Sequence, residues 1–260
     1  MYFNNIHIMV YVVIAAIGCI IGKFMAWCNL RLPEDKKIFS KEYFAENKAG
    51  NIKGSYIMMT LVAIIYVFLL YKFGIKENFV KNLDLIKFLI LTPMLASSFM
   101  IDLKHRILPN RLNMVIFEVG LILTFVYGLN NLNISKDMLF GMVTGVAIFG
   151  FITLLGGLIA GKEAMGLGDV KFMAAIGLYF GVSNIAEISL LAFFIASIIS
   201  IIILVLRGVI LKSEDEYIPF GPFLVASAII CIFIPSNTIF TLFMGLCTGI
   251  SDKILSLLNS

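Results

Sequence analysis

Two acidic residues in this chain stand where apolar sequence meets charged sequence. Asp102 closes the run LTPMLASSFMID and is followed at once by LKHRILPNRLN, while Asp169 lies in EAMGLGDVKFMAAIG and opens a second apolar run. An ionised side chain inside a bilayer costs several kcal/mol, so an acid at such a boundary needs a reason to be there. Two carboxylates that approach from different helices share one proton, because like charges at short range push their pKa values apart. One then serves as base and the other as acid. Together they could activate water against a peptide carbonyl and protonate the leaving amine, with neither a covalent intermediate nor a metal. Other hydrolytic chemistry finds little material: His7 and His105 are the only histidines, no serine stands in a G-x-S-x-G setting, and no H-E-x-x-H occurs.

The residues around the two acids carry structural readings as well. Gly166 and Gly168 allow backbone conformations closed to other residues and let a second chain come close, so Gly166-Leu167-Gly168 could hold an extended peptide. Pro109 and Asn110 form turns readily, and Pro219, Gly221 and Pro222 would stop one helix before the next begins. Lys171 is either an interface anchor or part of the site. Taken singly, Asp102 pairs as easily with Lys104 or Arg106, and Asp169 is a favourable charge at a helix N-terminus.

The elements that must position these residues are membrane helices. Hydrophobic residues make up 60% of the chain and charged residues 14%, with a mean hydropathy of +1.01, against roughly 45–50% apolar residues in soluble domains. A span needs about 20 mostly apolar residues. On that measure the candidates are 6–28, 55–73, 85–103, 112–128, 137–160, 184–206 and 221–256, the last broken near Pro235-Ser236-Asn237. The stretch 170–181 is short for a span of its own. The expectation is an all-α, polytopic integral membrane bundle of eight or nine transmembrane helices. It divides into a first helix (1–29, retained rather than removed as a leader), a short cytoplasmic loop (30–54) and a polytopic core (55–260).

Orientation follows from the basic residues. Loop 30–54 holds Arg31, Lys36, Lys37, Lys41, Lys48 and Lys53, and alternate loops then bring Lys104, Arg106 and Arg111, Lys162 and Lys171, and Arg207 and Lys212 to the same side. The other side receives Lys72, Lys76, Lys81 and Lys136. The positive-inside rule puts the richer side, and both acids with it, in the cytoplasm. A membrane accounts for the net charge of +4 more simply than nucleic acid does, and no nucleic-acid partner is expected. Cys19, Cys28, Cys231 and Cys247 form no C-x-x-C pair, so neither a disulfide framework nor a zinc ribbon is indicated.

Three ordered segments resemble the type IV prepilin peptidases. Asp102-Leu103-Lys104-His105-Arg106-Ile107-Leu108-Pro109-Asn110-Arg111-Leu112 is similar to the family's first aspartate motif, Gly166-Leu167-Gly168-Asp169-Val170-Lys171 to its G-x-G-D motif, and Ile218-Pro219-Phe220-Gly221-Pro222-Phe223 to its P-F-G-P stretch. Gly22-Lys23-Phe24 and Asn29-Leu30-Arg31-Leu32-Pro33 resemble a degraded form of the segment after the first span. The resemblance implies a multi-pass protein of a prokaryotic cytoplasmic membrane. It would remove the short basic leader of prepilins or pseudopilins at the cytoplasmic face, with Asp102 and Asp169 as its catalytic pair. Gly166, Gly168, Lys171, Pro109, Asn110, Pro219, Gly221 and Pro222 would bind substrate or shape the site.

Many members carry paired C-x-x-C motifs that bind zinc in the first cytoplasmic loop, and also methylate the new N-terminus with S-adenosylmethionine. Loop 30–54 contains no cysteine. The implied peptidase therefore needs no cofactor, zinc is not expected, and S-adenosylmethionine enters only if a methyltransferase activity is retained. The oligomeric state is not specified by these residues. Two other classes stay open from the residues alone: a transporter, whose acids would lie near the membrane midplane, and a non-enzymatic scaffold of a pilus or secretion machine, which would not need either aspartate.

Overall fold

The computed structural model describes residues 2–3, 6–33, 55–76, 79–160, 165–210 and 219–258. Eight helices fill most of that length: α1 (Ile8–Arg31), α2 (Ser55–Phe73), α3 (Phe79–His105), α4 (Asn110–Asn130), α5 (Leu132–Ala160), α6 (Leu167–Ile210), α7 (Gly221–Phe233) and α8 (Thr238–Leu258). A two-residue antiparallel pairing of Tyr2–Phe3 with Ile6–His7 precedes α1; the rest of the described structure is helical, as expected. The protein is a polytopic helical membrane protein. Among the described residues, helices α1 to α6 are each long and apolar enough to cross a bilayer, and α7 with α8 passes the same test as a pair bent by 106°, giving six spans there, or seven if that pair is one. Most of the expected cytoplasmic loop, at 34–54, lies outside the described residues, as do Lys162 and Lys212.

Helix α6 shows why a count of spans from sequence is difficult. Its 44 residues would extend about 66 Å at 1.5 Å per residue, twice the roughly 30 Å of a hydrocarbon core. Gly181, with φ 73° and ψ −179°, breaks it into two stretches, and the segments 170–181 and 184–206 expected from sequence lie on either side of that break. A left-handed φ there favours glycine. Asp137 of α5 completes the break: its Oδ1 accepts the Val182 N–H at 3.2 Å, so a carboxylate from one helix caps the restart of another.

The α5–α6 pair is the tightest in the bundle. A Cβ placed on Gly141 would overlap backbone atoms of Gly177 and Gly181, one on Gly177 would overlap the Gly141 backbone, and one on Gly145 would overlap the Met173 carbonyl. Without a hydrophobic drive between helices in lipid, such small-residue contact lets dispersion hold two backbones together. Gly18 and Gly22 do the same for α1 against Ala63 and Met58–Met59 of α2. Polar ties add to this packing: Tyr179 donates to the Ile116 carbonyl at 2.8 Å, and Tyr127 donates to Asp84 at 2.7 Å, which also pairs with Lys87 at 3.2 Å.

Candidate active site

Asp102 lies one turn from the end of α3. That helix stops because Arg106 takes a left-handed φ of 57°, closing its N–H onto the Asp102 carbonyl at 2.8 Å. Pro109 then forces its predecessor, Leu108, out of helical conformation and becomes the extended N-cap of α4, with ψ 127°. The result is a tight corner, 106–109, that folds Leu108 back toward the other two site segments.

Asp169 occupies the third position of α6. Its backbone N–H donates to the Gly166 carbonyl at 3.0 Å, and its Oδ2 stands 3.6 Å from the Cβ position of Gly166. That bond closes the first turn, with glycine at the cap position and aspartate three residues on, where a negative charge suits the helix dipole. The third segment begins α7. Phe220 is held by a cluster of rings, 5.2 Å from Phe193 and 6.3 Å from Phe149 and Phe223, which fixes Gly221 as the first residue of the helix. The Gly221 backbone comes up against the Asp102 carboxylate, at a helix N-terminus whose free donors favour anions.

Each carboxylate thus lies beside a glycine at the start of a helix, Asp102 by Gly221 of α7 and Asp169 by Gly166 before its own α6. Both side chains are largely removed from solvent, at 4% and 9% exposed, and both line one cavity of about 310 Å³. Gly166, Gly168, Asn110, Lys171 and Pro219 line it too, and Lys171 Nζ donates to Asn110 Oδ1 at 3.1 Å across its rim. Pro109, Gly221 and Pro222 are buried beside or beneath the cavity, with Pro222 one residue behind Gly221 in α7. All three segments singled out in the sequence therefore converge at one end of the bundle.

The glycines do different things from one another. A Cβ on Gly221 would overlap Asp102 Oδ2 and stand 3.0 Å from its Cγ, so this close approach requires glycine. Neither Gly166 nor Gly168 has a left-handed φ, and a Cβ on either would meet its nearest neighbours at ordinary distances, 3.6 Å to Asp169 Oδ2 and 3.5 Å to Leu108 Cβ. The conformational freedom expected of them is not used in the fold, and only open space at the cavity wall distinguishes them.

Two residues of the site escaped the sequence reading. Leu108 packs between the segments, its Cβ 3.5 Å from the Cβ position of Gly168 and its Cδ1 3.4 Å from that of Gly221. Asn113, a buried amide on the packed face of α4, donates to the Gly168 carbonyl at 3.3 Å. Its spacing from Asn110, three residues along α4, was the available clue. No three His, Cys, Asp or Glu side chains come together among the described residues, and 34–54 lies outside them.

Comparison with known proteins points in one direction. A family model described as the type IV leader peptidase family matches residues 89–205, a span that holds both aspartates. The chain is 32% identical over 176 residues to the "Prepilin leader peptidase/N-methyltransferase" of Legionella pneumophila, covering 67% of this chain and 56% of that protein. It is 35% identical over 136 residues to the protein of the same description from Pseudomonas aeruginosa, covering 52% and 45%. With "Leader peptidase HopD" of Escherichia coli it shares 32% identity over 132 residues, 51% of this chain and 82% of that one. The chain spans about half the length of the two longer relatives, and no solved structure matches it. With so much of the shorter relative covered, and with both aspartates inside the matched region, the chain belongs to the type IV leader peptidase family.

Proposed function

We propose that this chain is a membrane aspartic endopeptidase that cleaves the short basic leader from type IV prepilins or pseudopilins at the cytoplasmic face of a bacterial inner membrane. The observation that carries the reading is the convergence of Asp102 and Asp169 in one cavity, each beside a glycine at the start of a helix. In the resting pair one carboxyl is protonated and the other ionised. The ionised partner takes a proton from a water molecule as its oxygen adds to the scissile carbonyl, and the protonated partner hydrogen-bonds the oxygen that gains charge. Collapse of the tetrahedral intermediate breaks the C–N bond, and the proton taken from water passes to the leaving amine. The open wall at Gly166 and Gly168 leaves room for the extended backbone of the substrate.

The position of the acids, one turn from the end of α3 and in the first turn of α6, favours this reading over transport, where ion sites sit near the midplane at broken helices. The exposed Lys104, Arg106, Arg111 and Lys171 around the site suit an interface with anionic lipid headgroups. Methylation of the new N-terminus belongs to the description of the longer relatives and is not part of the activity proposed here.

The test is cleavage of a prepilin with a short basic leader by the detergent-purified protein, with EDTA present, against Asp102→Asn and Asp169→Asn. Loss of the leader with the parent protein, and its persistence with both folded variants, is the expected outcome. Equal cleavage by the variants removes these aspartates from the mechanism.

A further inference from the structure

The turn that carries Asp169 is tied to α4 by one buried amide. Asn113 is 4% exposed, and its Nδ2 donates to the Gly168 carbonyl at 3.3 Å. One turn earlier on the same helix, Asn110 accepts from Lys171. The two contacts therefore bracket Asp169, one through the residue before it and one through the second residue after it. Asn113 Oδ1, by contrast, is buried and meets no donor among the described residues. Turning the amide over would set this oxygen against the Gly168 carbonyl, two acceptors face to face. The orientation is therefore fixed by the bond to Gly168. A leucine has the same branched heavy-atom skeleton, though bulkier, and leaves no buried acceptor unpaired, so polar satisfaction does not favour asparagine here.

We propose that Asn113 is a positioning residue: it sets the placement of the first turn of α6 against α4, and through that turn the aim of the Asp169 carboxylate into the cavity it shares with Asp102. This rests on the peptidase reading above. A carboxylate at the third position of a helix moves with the turn that bears it, and a misplacement near 1 Å costs on the order of a hundredfold in rate. Asn113 acts only through Gly168, so binding of the substrate should be little altered.

The experiment compares the full-length purified protein with Asn113→Leu and Asn113→Asp in three measurements: kcat and KM for prepilin cleavage, the melting temperature in detergent, and amide hydrogen exchange across residues 166–172. Asn113→Leu is expected to melt at or above the parent temperature and to cut with kcat at least about tenfold lower. KM should stay within about twofold and the 166–172 amides should exchange faster, because the restraint on the turn is gone. Asn113→Asp, of the same size but without the donor when ionised, is expected to reproduce the loss of kcat. Unchanged kcat in both variants overturns the proposal, and so does unchanged exchange, a loss confined to KM, or a fall in activity that tracks a fall in melting temperature. Should the parent protein itself leave the prepilin uncut, the peptidase reading falls, while the exchange measurement still decides whether Asn113 holds the turn.

Discussion

Replacing Gly221 by alanine tests the geometry of the site most directly. The added methyl would occupy the place of Asp102 Oδ2 and stand 3.0 Å from its Cγ, with Leu108 Cδ1 at 3.4 Å closing the other side. To recover ordinary contacts the carboxyl has to retreat by about 1 Å, or α7 has to withdraw by as much, and either movement takes Asp102 away from the start of α7. A shift of that size in a reacting group costs about a hundredfold in rate, equivalent to about 2.7 kcal/mol of transition-state stabilisation. Crowding a packed site adds a loss of fold stability of about 1–3 kcal/mol. The assay is steady-state cleavage of a prepilin in detergent micelles alongside a thermal melt. The expected result is a kcat lowered about a hundredfold in a protein that still folds. Parent-like kcat in Gly221→Ala would refute the claim that α7 holds Asp102 in working position, whatever the effect on stability.

Three further expectations use different parts of the molecule. Gly166→Ala and Gly168→Ala should melt like the parent, since the new methyls meet only ordinary contacts. They should nonetheless raise KM several-fold, because the methyls stand at the cavity wall where substrate backbone must pass; unchanged KM in both would show that the open wall serves no substrate. Gly177→Ala drives a methyl into the Gly141 backbone and should lower stability by about 1–3 kcal/mol in a chemical or thermal melt, whereas a parent-like melt would mean that α5 and α6 do not pack this closely. For orientation, a cysteine in place of Lys104 should react with an impermeant thiol reagent only from the cytoplasmic side in inside-out vesicles, and one in place of Lys136 only from the opposite side. The reverse pattern would invert the topology and remove the site from the cytoplasmic face.

Much of the site could be read from the chain because charge is conspicuous in apolar sequence. Asp102 and Asp169 stood out for that reason, and the structure brings them to a single cavity. Contacts between segments distant in sequence were harder to foresee. Nothing in PFGP says that Gly221 meets Asp102, because that depends on how α7 packs on α3 and on the rings that seat Phe220. Glycine was ambiguous in the sequence: Gly166 and Gly168 offered backbone freedom, but the left-handed φ occurs at Gly181, where it breaks α6. Leu108 and Asn113 were missed because one resembles any half-buried aliphatic residue and the other any polar residue near a helix start. Their role appears only when α4, α6 and the corner between α3 and α4 are seen together.

The pairing of α5 with α6 also constrains how this protein can change in length. Asp137 meets Gly181, Gly141 meets Gly177 and Gly145 meets Met173, so each step of four residues along one helix is matched by four on the other, back toward Asp169. The stretch from Asp169 to Gly181 is therefore locked in phase as well as in position. One residue inserted between Met173 and Gly177 would turn everything before it by about 100°, aiming Asp169 away from Asp102 even with every motif intact. Insertions and deletions in this interval should thus be far less tolerated than substitutions, and a drift in its length among related chains would have to be matched by a compensating change in α5.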